Sequence, residues 1–182
     1  MFNVIAIEGI DRLGKSTQIK SILDELGFYQ VIHFQKPQQL KCYKFGEQLF
    51  QYQYDCFKNS MVLAKSGAKL IFDRWHLGEV VYSDAYRGYS GDYVFELEKE
   101  AQLQNYQNIK LVLLTEDFSK SAHFISDGES FDDSRREEEQ NRFIEAFNKS
   151  ILPNKQIICV TGRDGQFKNA ENITREILLG NS

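Results

Sequence analysis

The sequence predicts a three-layer α/β domain, in which a five-stranded parallel sheet carries helices on both faces. Two observations carry this reading. Short, continuous apolar runs at residues 3–7, 30–34, 69–72, 111–114 and 156–160 alternate with stretches whose apolar residues recur at helical spacing. Unbroken apolarity suits strands buried on both faces, and strand–helix alternation is the pattern of parallel sheets. At the first strand–helix junction stands a glycine-rich turn, Glu8-Gly9-Ile10-Asp11-Arg12-Leu13-Gly14-Lys15-Ser16-Thr17.

Residues 3–7 give the first strand. Gly9, Gly14, Lys15 and Ser16 then fit G-x-x-x-x-G-K-[ST] at every defined position. Glycines let the backbone fold tightly and aim successive N–H groups at an anion, and the following helix adds its N-terminal dipole. Lys15 is placed to reach the β- and γ-phosphates of a nucleoside triphosphate, and the Ser16 hydroxyl to bind Mg²⁺. The plain alternative is a chance glycine-rich turn, which the strand before and the helix after disfavour. Ile19, Ile22, Leu23 and Leu26 build that helix, and Gly27 falls where a left-handed residue would end it. Residues 30–34 give the second strand, in which His33 reads as a packed residue with no evident partner.

Residues 39–66 predict a long helix, with Tyr43, Phe50, Tyr54, Phe57, Met61 and Ala64 on one stripe. Most of these rings must dock on the sheet. Phe50 and Tyr54 are also suited to sandwich a flat base, and Gln51 and Gln53 to pair with a base edge. The third strand, 69–72, closes on Asp73-Arg74-Trp75-His76. An apolar strand ending in aspartate, downstream of a phosphate loop, is the Walker-B arrangement, which makes Asp73 a candidate for Mg²⁺, directly or through water. Arg74 stands at the carboxyl edge, where an anion would bind; its plain alternative is a surface salt bridge. Trp75 and His76 read as packing and helix-start residues.

Leu77, Val80 and Val81 suggest a short helix. Residues 82–92 read as a loop around Gly88 and Gly91, and its Arg87 is either a phosphate or base contact or an ordinary solvated charge. Residues 96–106 predict another helix and 111–114 the fourth strand. Residues 116–136 lack sustained periodicity and are too long for an ordinary connection, which favours a functional flap carrying Lys120, Arg135 and Arg136. Glu137, Glu138 and Glu139 open a helix that Phe143, Ile144, Phe147 and Ile151 continue. The fifth strand, 156–160, and a closing helix, 169–179, complete the chain.

At 182 residues, with 42% apolar and 26% charged residues, the composition suits one folded domain over residues 1–182. A net charge of −4 argues against a general nucleic-acid surface, so any anion site must be a local collection of cations. No apolar run approaches the length of a membrane span. Cys42, Cys56 and Cys159 are odd in number and lack C-x-x-C spacing, so they read as free thiols in a reducing compartment. The expectation is a cytoplasmic protein in which the glycosylation patterns at Asn148 and Asn172 are idle.

On its motifs the chain resembles the thymidylate kinase branch of the nucleoside monophosphate kinases. The resemblance rests on Glu8 to Thr17, including Asp11 and Arg12, and on Asp73-Arg74 with Tyr82 beyond it. The long element before the fifth strand is similar in place to that family's lid, and the Asp-Arg-Trp-His-Leu-Gly-Glu run is similar to viral, phage-type relatives. The resemblance implies a P-loop nucleoside monophosphate kinase-like fold, ATP and Mg²⁺ as cofactors, and a homodimer. It implies a deoxynucleoside monophosphate acceptor, dTMP or a close analogue first. Carried over, the ATP phosphates would meet Gly9, Leu13, Gly14, Lys15, Ser16 and Thr17, with Arg135 and Arg136 from the lid. Arg12 would bridge donor and acceptor phosphates, Asp11 would contact the deoxyribose 3′-hydroxyl, and Arg74 would hold the acceptor phosphate. Asp73 would serve Mg²⁺ or the substrate. Phe50, Gln53, Tyr54 and Arg87, read from their own positions above, are the further candidate substrate contacts.

The chain also departs from that family. Residues 45–61 contain no arginine to clasp an acceptor phosphate, and Gly78 and Ser83 stand where serine and glutamine are usual. Deoxynucleoside kinases share the fold, use glutamine in that helix, and employ the acid before the first loop glycine, here Glu8, as general base toward a 5′-hydroxyl. That acceptor therefore stands as the alternative. A third reading, a nucleotide-binding switch without phosphoryl transfer, is weakened because Asn154-Lys155-Gln156-Ile157 lacks the aspartate of the guanine-reading Asn-Lys-x-Asp motif.

Overall fold

Five parallel strands form one sheet in the order β2-β3-β1-β4-β5. They are β1 (Val4–Glu8), β2 (Gln30–His33), β3 (Leu70–Asp73), β4 (Ile109–Thr115) and β5 (Asn154–Cys159). The computed structural model describes residues 2–34, 47–120 and 133–179. Every residue of β1 and β4 is buried, which is why these segments read as unbroken apolar runs. The edge strands β2 and β5 are mostly half-buried or exposed.

Among the described residues the helices are α1 (Lys15–Leu26), α2 (Glu47–Ala64), α3 (Leu77–Tyr86), α4 (Tyr93–Glu100), α5 (Arg136–Lys149) and α6 (Ala170–Leu179). Helix α1 packs on α6, while α2 packs on α4 and α3 on α5. Right-handed crossovers dictate this division. From β1 the chain runs to the β2 edge, and from β3 it runs the other way to β4, so the two connections leave on opposite faces. A crevice opens where adjacent strands part in this way, and here it lies at the carboxyl ends of β1 and β3.

The core fills both sides of β1. Phe72 of β3 stacks on Trp75 with ring centroids 4.8 Å apart, and the Trp75 indole N–H donates to Ser60 Oγ on α2 at 2.7 Å. His76, immediately before α3, is fully buried and meets Glu98 of α4 at 2.6 Å. Both residues thus have the packing and helix-start roles expected from their position. Gly27 has the expected positive φ, 76°, and its N–H returns to the Leu23 carbonyl.

Other boundaries differ from expectation. The segment read as a loop from residue 82 continues α3 to Tyr86, because Tyr82 and Tyr86 lie one turn apart and Tyr82 meets Phe143 of α5 at 5.8 Å. Helix α4 begins at Tyr93 and ends at Glu100, where Gln102 at φ 55° turns the chain into a short 3-10 segment, Leu103–Asn105. The buried stripe of α2 is Leu49, Gln53, Phe57, Ser60, Met61 and Ala64, with Phe50 and Tyr54 on its half-buried flank. The first eight residues of the expected long helix, Tyr43 and Cys42 among them, lie outside the described residues. So does most of the expected flap, of which 116–120 and 133–136 are described. No described helix is long and apolar enough to cross a membrane.

Candidate nucleotide site

The turn after β1 is built by residues that only this conformation admits. Gly9 has φ 134°, and a Cβ there would sit 2.5 Å from the Leu114 carbonyl oxygen of β4. Any side chain at this position would push the loop off the sheet. Gly14 has φ 73° and leads directly into α1. Arg12 and Arg74 also lie in the left-handed region, with φ 65° and 62°. Non-glycine residues adopt it rarely and at an energetic cost, so the surroundings must hold these two arginines in place.

For Arg74 those surroundings are visible. Its N–H donates to the Ile7 carbonyl at 3.0 Å, while the N–H groups of Trp75 and Leu77 both donate to Glu8 Oε1, at 2.8 and 3.0 Å. The end of β1 therefore captures the chain leaving β3 and fixes the start of α3. Glu8 has no exposed surface, and its Oε2 has no hydrogen-bond partner among the described residues. Burial raises its pKa above the usual carboxylate range, against the lowering effect of His76 and of the two amides.

Lys15 folds back over the loop. Its ammonium donates to the carbonyls of Gly9 and Ile10 at 3.1 and 2.5 Å. Burial, and then the Arg74 charge, lower its pKa to about 7. Ser16 and Thr17 are exposed on the first turn of α1. Across the crevice Arg74 forms an ion pair with the Asp11 carboxylate, and its guanidinium lies over the Tyr82 ring, 5.6 Å from the centroid. Arg136, on the first turn of α5, donates to the Asp11 carbonyl at 3.1 Å and to buried Glu116 at 2.5 Å. Gln140 reinforces that junction, accepting from the Glu116 N–H at 2.7 Å and donating to its carbonyl at 3.0 Å. Arg135 instead faces outward, paired with Glu138 at 2.9 Å and set over the Tyr86 ring.

The oxygen donors suit Mg²⁺. The Ser16 hydroxyl, on the first turn of α1, and the Asp73 carboxylate, at the end of β3, are hard ligands, and no cluster of three or more His, Cys, Asp or Glu able to hold a metal occurs among the described residues. A cation there would complete its shell from phosphate oxygens and water, as Mg²⁺ does at phosphoryl-transfer sites. Asp73 has a partner that the sequence did not disclose: His33 Nδ1 lies 3.1 Å from its Oδ2.

Phe50 and Tyr54 meet two further rings. Phe50 lies 5.0 Å from Tyr93 and 5.6 Å from Tyr89, both edge-on, and Tyr54 lies 5.6 Å from Tyr93. Behind them is Glu79, a buried carboxylate whose Oε1 accepts the Tyr89 and Tyr93 hydroxyls at 2.7 and 3.1 Å and whose Oε2 takes Arg87. Arg87 is thus neither a free solvated charge nor an isolated anion contact, but part of this wall. Gln53 is buried on α2, and its side chain makes no hydrogen bond among the described residues. Burial, and then the Glu79 charge, raise the pKa values of Tyr89 and Tyr93, so both remain protonated donors.

The structure therefore gathers Asp11, Lys15, Asp73, Arg74 and Arg136 around one crevice, with Glu8 buried beneath it, and sets Phe50, Tyr54 and Arg87 in a second cluster. The residues missed from sequence, His33, Glu79, Tyr89 and Tyr93, act through contacts between elements. The run Trp75-His76-Leu77-Gly78-Glu79 was the one available hint.

No family model matches the chain, and no curated protein matches it in sequence. Its fold does match solved structures. One is the YorR protein from Bacillus subtilis in complex with phosphorylated GDP, at 19% identity and a TM-score of 0.64, covering 97% of this chain and 94% of YorR. Another is NadR in complex with NR, at 12% identity and a TM-score of 0.56. That alignment covers all of this chain and 52% of NadR, so the chain spans about half of NadR's length. What is shared with both is the α/β fold, in this chain a five-stranded parallel sheet flanked by helices.

Proposed function

We propose that this chain is an ATP-dependent kinase of a deoxynucleoside monophosphate, with dTMP or a close analogue as acceptor. The observation that carries the reading is the convergence, at the carboxyl ends of β1 and β3, of a complete phosphate loop with the Asp73–Arg74 pair. A triphosphate tail and a second phosphate are the chemistry that such a crevice serves. YorR, captured with a phosphorylated nucleotide, supports a nucleotide as the ligand of this fold. The choice of dTMP rests on the resemblance of the motifs.

In this reading the loop amides and the α1 N-terminus receive the donor phosphates. Lys15 leaves the Gly9 and Ile10 carbonyls to neutralise the β- and γ-phosphates. Arg74 exchanges Asp11 for the acceptor phosphate and aligns one of its oxygens with the γ-phosphorus. That oxygen forms the new P–O bond as the bond to the β–γ bridging oxygen breaks, giving ADP and the acceptor diphosphate. Mg²⁺, held by Ser16 and Asp73, would neutralise the charge on the transferring group. Catalysis is chiefly alignment and charge neutralisation, to which Arg12 contributes from the loop. A homodimer is part of the same proposal.

Deoxynucleoside phosphorylation would need Glu8 as base. Glu8 is sealed in the core and its Oε1 is committed to two amides, which favours the monophosphate reading. The test is ADP formation that depends on added deoxynucleotide. Lys15→Ala should remove it by a factor on the order of 10²–10³ or more while the protein stays folded. Near wild-type turnover in that variant would remove the assignment of the site.

A further inference from the structure

We infer that His33 is a positioning residue for the Asp73 carboxylate, an inference that rests on the reading of Asp73 as the carboxylate serving Mg²⁺ or substrate. His33 is the last residue of β2 and Asp73 the last of β3, and the parallel register sets them side by side at the carboxyl edge. His33 Nδ1 stands 3.1 Å from Asp73 Oδ2. A carboxylate only accepts, so Nδ1 carries the proton and donates. The final torsion of an aspartate is broad and two-fold, and one fixed oxygen removes that freedom. Oδ2 is then occupied, which leaves Oδ1 for a ligand at the end of β3, where the Asp73 charge also acts on the Lys15 ammonium.

The imidazole has little else to do. Its side chain is 57% exposed on an edge strand, and Asp73 is its one hydrogen-bond partner among the described residues. An exposed histidine of this kind contributes little to packing, so its contact with a crevice carboxylate is its distinguishing property. Outer-sphere partners of ligating groups are worth about 10- to 100-fold in metal affinity or activity. Solvent competes at His33, which sets the expectation at the lower end.

The test compares His33→Ala, His33→Asn and His33→Gln with Asp73→Ala, reading thermal midpoint, Mg²⁺-dependent ADP affinity by calorimetry, and kcat. The asparagine amide nitrogen reproduces the position of Nδ1, whereas that of glutamine reproduces Nε2. His33→Ala and His33→Gln should keep the wild-type midpoint, weaken Mg²⁺-dependent ADP binding about tenfold and lower kcat by a similar factor. His33→Asn should restore most of both. The inference is overturned if His33→Ala matches wild type while Asp73→Ala is severely impaired, or if His33→Asn is as impaired as His33→Ala. If Asp73→Ala is itself silent, the reading of Asp73 falls, and this inference with it.

Discussion

Arg74 forms an ion pair with Asp11, so a guanidinium at the end of β3 and a carboxylate in the turn after β1 neutralise each other across the crevice between the two strands. Arg136 grips the same loop residue by its carbonyl. Asp11 is therefore held from both sides, and in the proposed reading Arg74 exchanges this carboxylate for the acceptor phosphate.

The buried ammonium of Lys15 should couple the proposed nucleotide binding to proton uptake. Its pKa of about 7 lies well below the ordinary lysine value of about 10.4. Above pH 7 the free protein holds Lys15 increasingly neutral, and the phosphates of ATP favour the charged form again. ATP binding at pH 8.5 should therefore take up close to one proton, and binding at pH 6 almost none. Calorimetry in two buffers of different ionisation heat measures this, and equal heats at pH 8.5 would contradict it. The unfolded chain binds the extra proton between the two pKa values. This group's contribution to the stability of the ligand-free protein therefore rises with pH from about 7 to about 10.

The three arginines assigned to the phosphates in the proposed reading should behave differently. Arg12→Ala should lower kcat with little change in the KM for ATP, because Arg12 is set within the loop. Arg135→Ala should do less, since that side chain is half-exposed and paired with Glu138. Arg136→Ala should first of all destabilise, because it leaves buried Glu116 without its counter-charge. Breaking such a pair costs about 3–5 kcal/mol, measurable as a lower urea midpoint. A larger kcat loss in Arg135→Ala than in Arg12→Ala would reverse the ranking.

The Glu98–His76 pair should be a stability element apart from the chemistry. Glu98 accepts from His76, from Ser150 Oγ at 2.6 Å and from the Ile151 N–H at 2.9 Å, tying α4 to the start of α3 and the end of α5. Burial alone would raise its pKa, but His76 and these donors hold it below the usual carboxylate range. The depressed value means that Glu98 contributes stability above the ordinary carboxylate pKa, and that this is lost as pH falls through the folded value. Glu98→Ala should cost about 3–5 kcal/mol near pH 7. Urea titration checks this, and the difference from wild type should shrink in acid; an unchanged midpoint at pH 7 would refute it.

How much of this was legible in the sequence depended on distance along the chain. Gly9, Gly14, Lys15 and Ser16 lie within one turn, so their spacing alone fixed the phosphate loop and its place between strand and helix. Asp73 and Arg74 were legible because they end an apolar run. The His33–Asp73 contact spans 40 residues and exists only through the β2–β3 register, which no local pattern encodes. Glu79 was invisible for a related reason. Its partners Arg87, Tyr89 and Tyr93 approach it only because α3 runs to Tyr86 and Gly91 lies so close that a Cβ would sit 2.6 Å from the Glu79 carbonyl oxygen. Gly88 and Gly91 signalled a loop correctly, but not how late it begins.

The central claim is that the acceptor carries a phosphate and that Arg74 holds it. Each charge-assisted contact to a phosphate is worth roughly 1.5–3 kcal/mol, or about ten- to a hundredfold in affinity. The most direct measurement is ADP release with ATP and Mg²⁺ across all deoxynucleoside monophosphates and their parent nucleosides, for wild type, Arg74→Ala and Glu8→Gln. In the wild type, dTMP or another monophosphate should exceed its nucleoside in kcat/KM by at least about a hundredfold, and Arg74→Ala should erase most of that ratio. Nucleosides as the better substrates, with activity abolished by Glu8→Gln, would contradict the account and assign the chain to nucleoside phosphorylation.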